Sequence, residues 1–196
     1  MIDRSKDADK NKLADRIAGS VEYAPFQKGK FDLKKHPLPF YKNAYNVSVK
    51  CFSTRPIITK KYVCDDIRVF ETDGESETIE AINEAFSLNL NLQNVSFYVA
   101  FYFQNVLIDG SFLRLVFKAK DIIGDDFEPS LKKELKKTVN EPVLCQTAEG
   151  FMVSGFVLSN DTLFRAEIFV TKKGGISIKR KETIAKNLPI FHTTLR

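Results

Sequence analysis

The chain has 196 residues and contains no tryptophan, only two histidines and only three cysteines. His36 and His192 lie in proline-containing segments near the two ends, and Cys51, Cys64 and Cys145 lack the C-x-x-C spacing of a metal site. Zinc sites need closely grouped nitrogen and sulfur ligands, and thiol catalysis needs a base beside the thiol. We therefore expect a protein that is not an enzyme and that has no metal site and no cofactor.

Long apolar runs are also missing. No stretch reaches the roughly 18 apolar residues that a membrane-spanning helix requires. Residues 1–20 alternate acidic and basic side chains and contain no apolar stretch of the kind found in secretory signals. The odd number of cysteines indicates reduced thiols. We expect a cytoplasmic protein that is not secreted and has no transmembrane span.

Two apolar segments flank Asp109-Gly110, and this dipeptide is typical of a tight β-hairpin because both residues tolerate positive φ. The first segment, Val95–Phe103, would be apolar on both faces if it were a strand. Strands that are apolar on both faces are buried on both faces. The pattern therefore predicts a hairpin of Val95–Phe103 with Val106–Phe117 at the centre of a sheet.

The other elements follow from alternation and from helical spacing of apolar residues. Strands are predicted at 45–52, 57–63, 67–70, 151–159, 162–170 and 176–179, and helices at 75–87 and from Pro129 to about Val139. A turn at Asn160-Asp161 would pair Phe151 with Val170 and Val157 with Phe164. The fold class is α+β, with a mainly antiparallel sheet, two helices and an extended N-terminal arm.

The first 44 residues are rich in charge and proline and poor in aliphatic side chains. A short helix over residues 3–18 would place Leu13 and Ile17 on one side. Such a composition favours an extended arm that is peripheral to the core. We therefore divide the chain into an arm over residues 1–44 and a single α+β domain over residues 45–196.

The net charge of +5 is unevenly distributed. Residues 28–61 hold nine basic and one acidic side chain, residues 65–87 hold one basic and eight acidic, and residues 171–196 hold seven basic and one acidic. The densest basic cluster consists of Lys172, Lys173, Lys179, Arg180 and Lys181. These side chains are candidates for contact with the phosphates of nucleic acid or of an anionic membrane. Lysines that keep an edge strand soluble are the competing interpretation.

A short motif at Leu38-Pro-Phe-Tyr41 fits the L-P-x-Y peptides that WW domains bind. Leu38, Pro39 and Tyr41 are therefore candidate contacts for a WW-domain partner. The alternative is a proline-containing lead into the first strand of the domain, because four-residue motifs also arise by chance.

Together these segments resemble the matrix proteins of rhabdoviruses. The resemblance rests on Glu22-Tyr-Ala-Pro25 and Leu38-Pro-Phe-Tyr41 in the arm, and on Val49-Lys-Cys-Phe-Ser-Thr-Arg-Pro56 as the first strand and its exit. It covers about a third of the chain; the family's double-proline tyrosine motif is absent, and residues 1–16 are charge-balanced rather than basic. The resemblance implies a charged arm followed by an α+β domain, RNA or nucleoprotein contact, peripheral membrane association and self-association.

The sequence therefore predicts a non-enzymatic structural or assembly protein whose basic surface contacts a polyanion. Two alternatives remain open at this stage. One is a soluble module that binds a small ligand, and the other is an enzyme whose site is assembled from residues distant in sequence.

Overall fold

The computed structural model describes residues 4–21 and 30–190, and the side chains of these ranges from residue 9 onward. The described residues form two compact units. The first holds the residues up to Leu38 together with Lys42–Thr72, and the second holds Pro39–Tyr41 and the residues from Asp73 onward. The fold class is α+β with mainly antiparallel sheets, as predicted.

The first unit consists of one helix and a four-stranded antiparallel sheet. Its elements are α1 (Arg4–Ser20), β1 (Phe31–Pro37), β2 (Tyr45–Cys51), β3 (Ile58–Cys64) and β4 (Val69–Glu71), with the strands in the order β1-β2-β3-β4. Ala14 and Ile17 of α1 are buried with the sheet residues Leu33, Val47 and Tyr62. This cluster is the apolar core of the unit.

Part of the segment predicted as an arm is regular structure. Residues 31–37 form β1, which pairs along its whole length with β2. Leu33 is 4% exposed and belongs to the buried cluster of the first unit. The few aliphatic residues of this segment are spaced so that they reach the core, and composition alone does not show that spacing.

The second unit consists of three helices and a six-stranded sheet. Its elements are α2 (Ser76–Ala85), α3 (Val95–Asn105), β5 (Leu107–Ile108), β6 (Ser111–Val116), α4 (Pro129–Thr138), β7 (Val143–Gln146), β8 (Gly150–Ser159), β9 (Thr162–Thr171) and β10 (Ile176–Ala185). The strands follow the order β10-β9-β8-β6-β5, and β7 also pairs with β8.

The central hairpin was predicted wrongly, since its first segment is helix α3. The turn was predicted correctly, because Asp109 and Gly110 have φ of 51° and 75°, but they join β6 to a β5 of only two residues. A helix that is apolar on nearly all sides is a buried helix. The apolar run Val95–Phe103 therefore fits a buried helix as well as a strand that is buried on both faces. Eight of the eleven residues of α3 are buried, and Phe97, which is not one of them, is 51% exposed.

Most of the remaining elements of the second unit were predicted, although β7 was not and β10 runs to Ala185 rather than to Lys179. The helices predicted at 75–87 and from Pro129 correspond to α2 and α4, and the short helix considered over residues 3–18 corresponds to α1. Helix α3 was not predicted and brings the total among the described residues to four. The predicted pairs Phe151–Val170 and Val157–Phe164 are in register, and Asn160 has a φ of 52°. Alternation predicts these strands well because one face of the hairpin is apolar and the other carries the exposed Arg165 and Glu167.

The two faces of the large sheet have different coverings. Helix α3 packs against β6 and β8. On the opposite face, a separate buried cluster joins sheet residues to α4 and the chain around it; its members include Val116, Phe156, Leu158, Leu163, Ile122, Phe127, Leu135 and Val139. Part of each face of the sheet is thus covered by a helix, α3 on one face and α4 on the other.

We predict that Leu33→Ala destabilises the first unit by about 2–5 kcal/mol, because the substitution leaves a cavity in its buried cluster. Lys34→Ala is the matched control, since Lys34 is exposed on the same strand. We expect the control to change stability by less than about 0.5 kcal/mol. Urea denaturation of both variants measures the difference, and equal stability of the two would show that β1 does not contribute to the core.

Candidate polyanion site

The candidate site is the hairpin that joins β9 to β10. Its turn is closed by the backbone bonds Gly174 N–H to Thr171 O, at 2.9 Å, and Thr171 N–H to Gly175 O, also at 2.9 Å. The Thr171 hydroxyl oxygen accepts a further bond from the Gly175 N–H at 2.9 Å. The turn therefore has a defined conformation before it meets any ligand.

A buried polar network holds this turn. The Tyr98 hydroxyl donates to the Gly174 carbonyl at 2.8 Å, and the Asn83 Nδ2 donates to the Lys173 carbonyl at 3.2 Å. Asn83 also donates to the Tyr98 oxygen at 2.9 Å and accepts from the Tyr41 hydroxyl at 2.5 Å. Carbonyls of the turn are thus bound by side chains from α2 and α3.

Glycine is required at position 174 by both conformation and space. Its φ of 90° lies in the region that other residues rarely adopt. A Cβ there would lie 2.4 Å from Asn83 Nδ2 and 2.4 Å from Tyr98 Oη. Gly174 in Lys172-Lys-Gly-Gly175 therefore allows the turn to approach the two helices closely.

Burial keeps the tyrosines of this network protonated. It raises the pKa of Tyr98 and of Tyr41 above the ordinary tyrosine value, because the charged phenolate would lose its hydration. A tyrosine is already neutral at physiological pH, and the raised pKa keeps both hydroxyls as hydrogen-bond donors at higher pH as well. The network needs both donors, since each bonds to an oxygen.

All five predicted basic residues are exposed, but they do not lie on one face. Lys172 and Lys173 are at the tip of the hairpin. In β10 the register with β9 shifts between Ile178 and Arg180, which leaves Lys179 at an irregularity. Beyond it, Arg180 and Lys181 alternate to opposite faces of the sheet. The structure therefore separates the cluster into a tip and two strand faces.

Arg180 lies in a mixed-charge group. It is in register with Glu167, and the next pair on the same face of the ladder is Glu182 with Arg165. These four side chains line a shallow pocket of about 230 Å³. Opposite charges directly across a strand pair stabilise each other. The charge of Arg180 is therefore balanced locally, unlike that of the two tip lysines.

Lys179 and Lys181 each lie above an aromatic ring of β9. The Lys179 ammonium is 5.5 Å from the Phe169 ring centroid, and the Lys181 ammonium is 4.1 Å from that of Phe164. Both lysines, together with Arg180, also border a cleft of about 500 Å³ beside β10, whose lining includes Ser76, Tyr102 and Leu107. The edge strand thus presents ammonium groups fixed by cation–π contacts.

The proline-tyrosine motif is packed into the protein. Leu38 is 7% exposed and Tyr41 is 6% exposed, while Pro39 is exposed. The Tyr41 ring meets those of Phe40 and Phe86 at centroid distances of 4.8 Å and 5.7 Å. A WW domain could reach Tyr41 only after the residue left this packing. The second arm motif, Glu22-Tyr-Ala-Pro25, lies outside the described residues.

The described histidine and thiols are not arranged as a catalytic pair. His36 alternates to the face of the first-unit sheet opposite to that of Cys51 and Cys64. Burial raises the pKa of both thiols, which lowers their reactivity. Within residues 9–21 and 30–190, no group of three or more histidine, cysteine or acidic side chains could hold a metal ion. His192 lies outside the described residues.

Comparison with known proteins found no family model, no curated protein and no solved structure that matches this chain. In the described part of the chain, no helix is long and apolar enough to cross a membrane.

The residues that position the site were missed by the sequence reasoning. Asn83 and Tyr98 donate hydrogen bonds to the carbonyls of residues 173 and 174. Asn83 lies in an acidic helix and Tyr98 in an apolar run, and nothing in either segment marks these residues as partners of the turn. The one available signal was a buried position for asparagine on the apolar side of α2, next to Ile79 and Ile82. A polar residue at such a position needs a buried hydrogen-bond partner.

We predict that Gly174→Ala loosens the hairpin tip and destabilises the second unit by roughly 2 kcal/mol or more, because of the positive φ and the close approach. Gly175→Ala is the matched control, since a Cβ there would meet only the Thr171 side chain at 3.2 Å. Hydrogen exchange of the turn amides, together with urea denaturation, measures both effects. Equal exchange in the two variants would contradict the role of the network.

Proposed function

We propose that the protein is a non-enzymatic assembly protein that contacts nucleic acid, in free or nucleoprotein form, through the β9–β10 hairpin. The proposal rests chiefly on one observation. Two adjacent exposed lysines lie on a turn whose carbonyls are held by buried side chains. Because the backbone of this turn is already held in one conformation, it loses no further backbone conformational entropy when the lysines bind a ligand.

The charges around the tip favour a phosphate partner. Lys172 and Lys173 have no acidic residue beside them in sequence, and β10 carries the further exposed lysines Lys179 and Lys181. Binding of lysines to a nucleic acid releases counterions, so it depends strongly on salt. The tip carries no exposed large apolar side chain that could insert into a lipid layer. An anionic membrane contacted peripherally is therefore the second partner to test.

The broader role is that of a matrix-like protein. The resemblance in the N-terminal third implies self-association and a cytoplasmic location in addition to RNA contact. Two compact units with basic surfaces support such a role, since an assembly protein needs several contact surfaces on one chain. A protein that coats nucleoprotein needs no catalytic group.

A small anionic ligand in the cleft beside β10 is the second candidate function. The volume of about 500 Å³ suits a compact ligand, and Lys179 and Lys181 border the cleft. A rise in melting temperature with inorganic phosphate or a nucleoside monophosphate, lost in Lys181→Gln, would favour this candidate.

We predict that replacing Lys172 and Lys173 together with glutamine weakens binding of single-stranded RNA at least about tenfold. It should also lower the magnitude of the log–log salt slope by about 1.4, because two phosphate contacts are lost. Fluorescence anisotropy over a NaCl series measures both quantities, and pelleting with phosphatidylserine vesicles tests the membrane alternative.

Two control variants make this result specific. Replacing Lys133 and Lys137 with glutamine removes the same charge from exposed positions of α4 and should leave the slope unchanged. Arg180→Gln should have less effect than either tip lysine, because Glu167 lies opposite Arg180. If the tip variant and the α4 variant lose the same affinity, binding follows net charge and the hairpin is not the site.

A further inference from the structure

On the face of the first-unit sheet opposite α1, the residues of β1 and the end of β2 are exposed or half-buried, whereas Val63 of β3 on the same face is buried. Ala14 and Ile17 of α1 pack with Leu33, Val47 and Val49, which occupy one face by alternation. The other face carries Lys30, Asp32 and Lys34 from β1 and its approach, and Ser48, Lys50 and Phe52 from β2 and its exit. This second set is called the open face below.

Register brings the basic residues of the open face together. Phe52 N–H donates to Lys30 O at 2.9 Å, which continues the ladder in which Lys50 pairs with Asp32 and Ser48 with Lys34. Lys30 and Lys34 are therefore the two diagonal neighbours of Lys50 on the β1 side. Diagonal neighbours on adjacent strands are about 7–8 Å apart. Three lysines surround one aspartate, so the open face has a net positive charge.

An exposed aromatic ring lies within this basic group. Phe52 is 50% exposed, and the Lys50 ammonium is 5.8 Å from its ring centroid. A half-exposed phenylalanine contributes little to a core. At the end of β2 beside Lys50, such an exposed ring is available for a nucleic-acid base to stack on.

We propose that the open face binds single-stranded nucleic acid, with Lys30, Lys34 and Lys50 on the phosphates and Phe52 stacked on a base. A single strand is the occupant because its bases are free to stack, whereas those of a duplex are stacked on each other. The site is separate from the β9–β10 hairpin and uses none of its residues. Either site can therefore be wrong without affecting the other.

The absence of tryptophan from the chain allows a site-specific test. Phe52→Trp places a single tryptophan on the open face, and Phe97→Trp places one at a control position of matched exposure, 51%, in the second unit. Titration with a short oligouridylate should quench the emission of the first variant in a saturable and salt-reversible way. The emission of the second variant should not change.

Affinity measurements complete the test. Phe52→Ala should lower oligouridylate affinity on the order of tenfold, and Phe52→Tyr should retain it. Replacing Lys34 and Lys50 with glutamine should lower the magnitude of the salt slope by about 1.4. All three positions are exposed, so the melting temperature should stay close to that of the parent.

Three outcomes would overturn the proposal. The first is binding by anisotropy without quenching of the tryptophan at position 52, which would place the nucleic acid elsewhere. The second is equal quenching at positions 52 and 97. The third is a blue shift with phosphatidylserine vesicles but no response to oligouridylate, which would assign the open face to lipid.

Discussion

The geometry of the candidate site depends on the buried amide of Asn83. Its nitrogen donates to the Lys173 carbonyl and its oxygen accepts from Tyr41, while Tyr98 completes the network at Gly174. A buried amide without partners would cost stability, so the network is satisfied only when the turn lies against the two helices. The position of two exposed lysines is thus determined by polar groups that never meet solvent.

Alternation along strands decides which charges can act together. Consecutive basic residues in β10 project to opposite faces, so Arg180 joins a balanced group with Glu167 whereas Lys181 lies over Phe164. In the first unit, the same alternation collects lysines that are distant in sequence on one open face. Charge density in the sequence is therefore a poor measure of charge density on a sheet. The register of the strands and the position of bulges determine which charged residues share a face.

Prediction from sequence succeeded where local pattern and tertiary environment agree. The hairpin of β8 and β9 has one apolar face, and its pairing followed from alternation and from Asn160 at the turn. It failed for Val95–Phe103, which is helix α3, because an apolar run has no polar side to reveal its period. The packing role of Tyr41 was likewise hidden, since its partners Asn83 and Phe86 lie more than forty residues away.

The sequence by itself determined the fold class, the two helices with a clear apolar stripe, the hairpin of β8 and β9, and the uneven distribution of charge. These features depend on neighbours within a few residues, whose spacing sets which side chains share a face. Only the tertiary structure decided that Leu33 belongs to a core, that Asn83 and Tyr98 hold the basic turn, and that the Phe52 ring lies beside Lys50. Each of these depends on contacts across strands or between helix and turn, and no local pattern specifies which distant residues will meet.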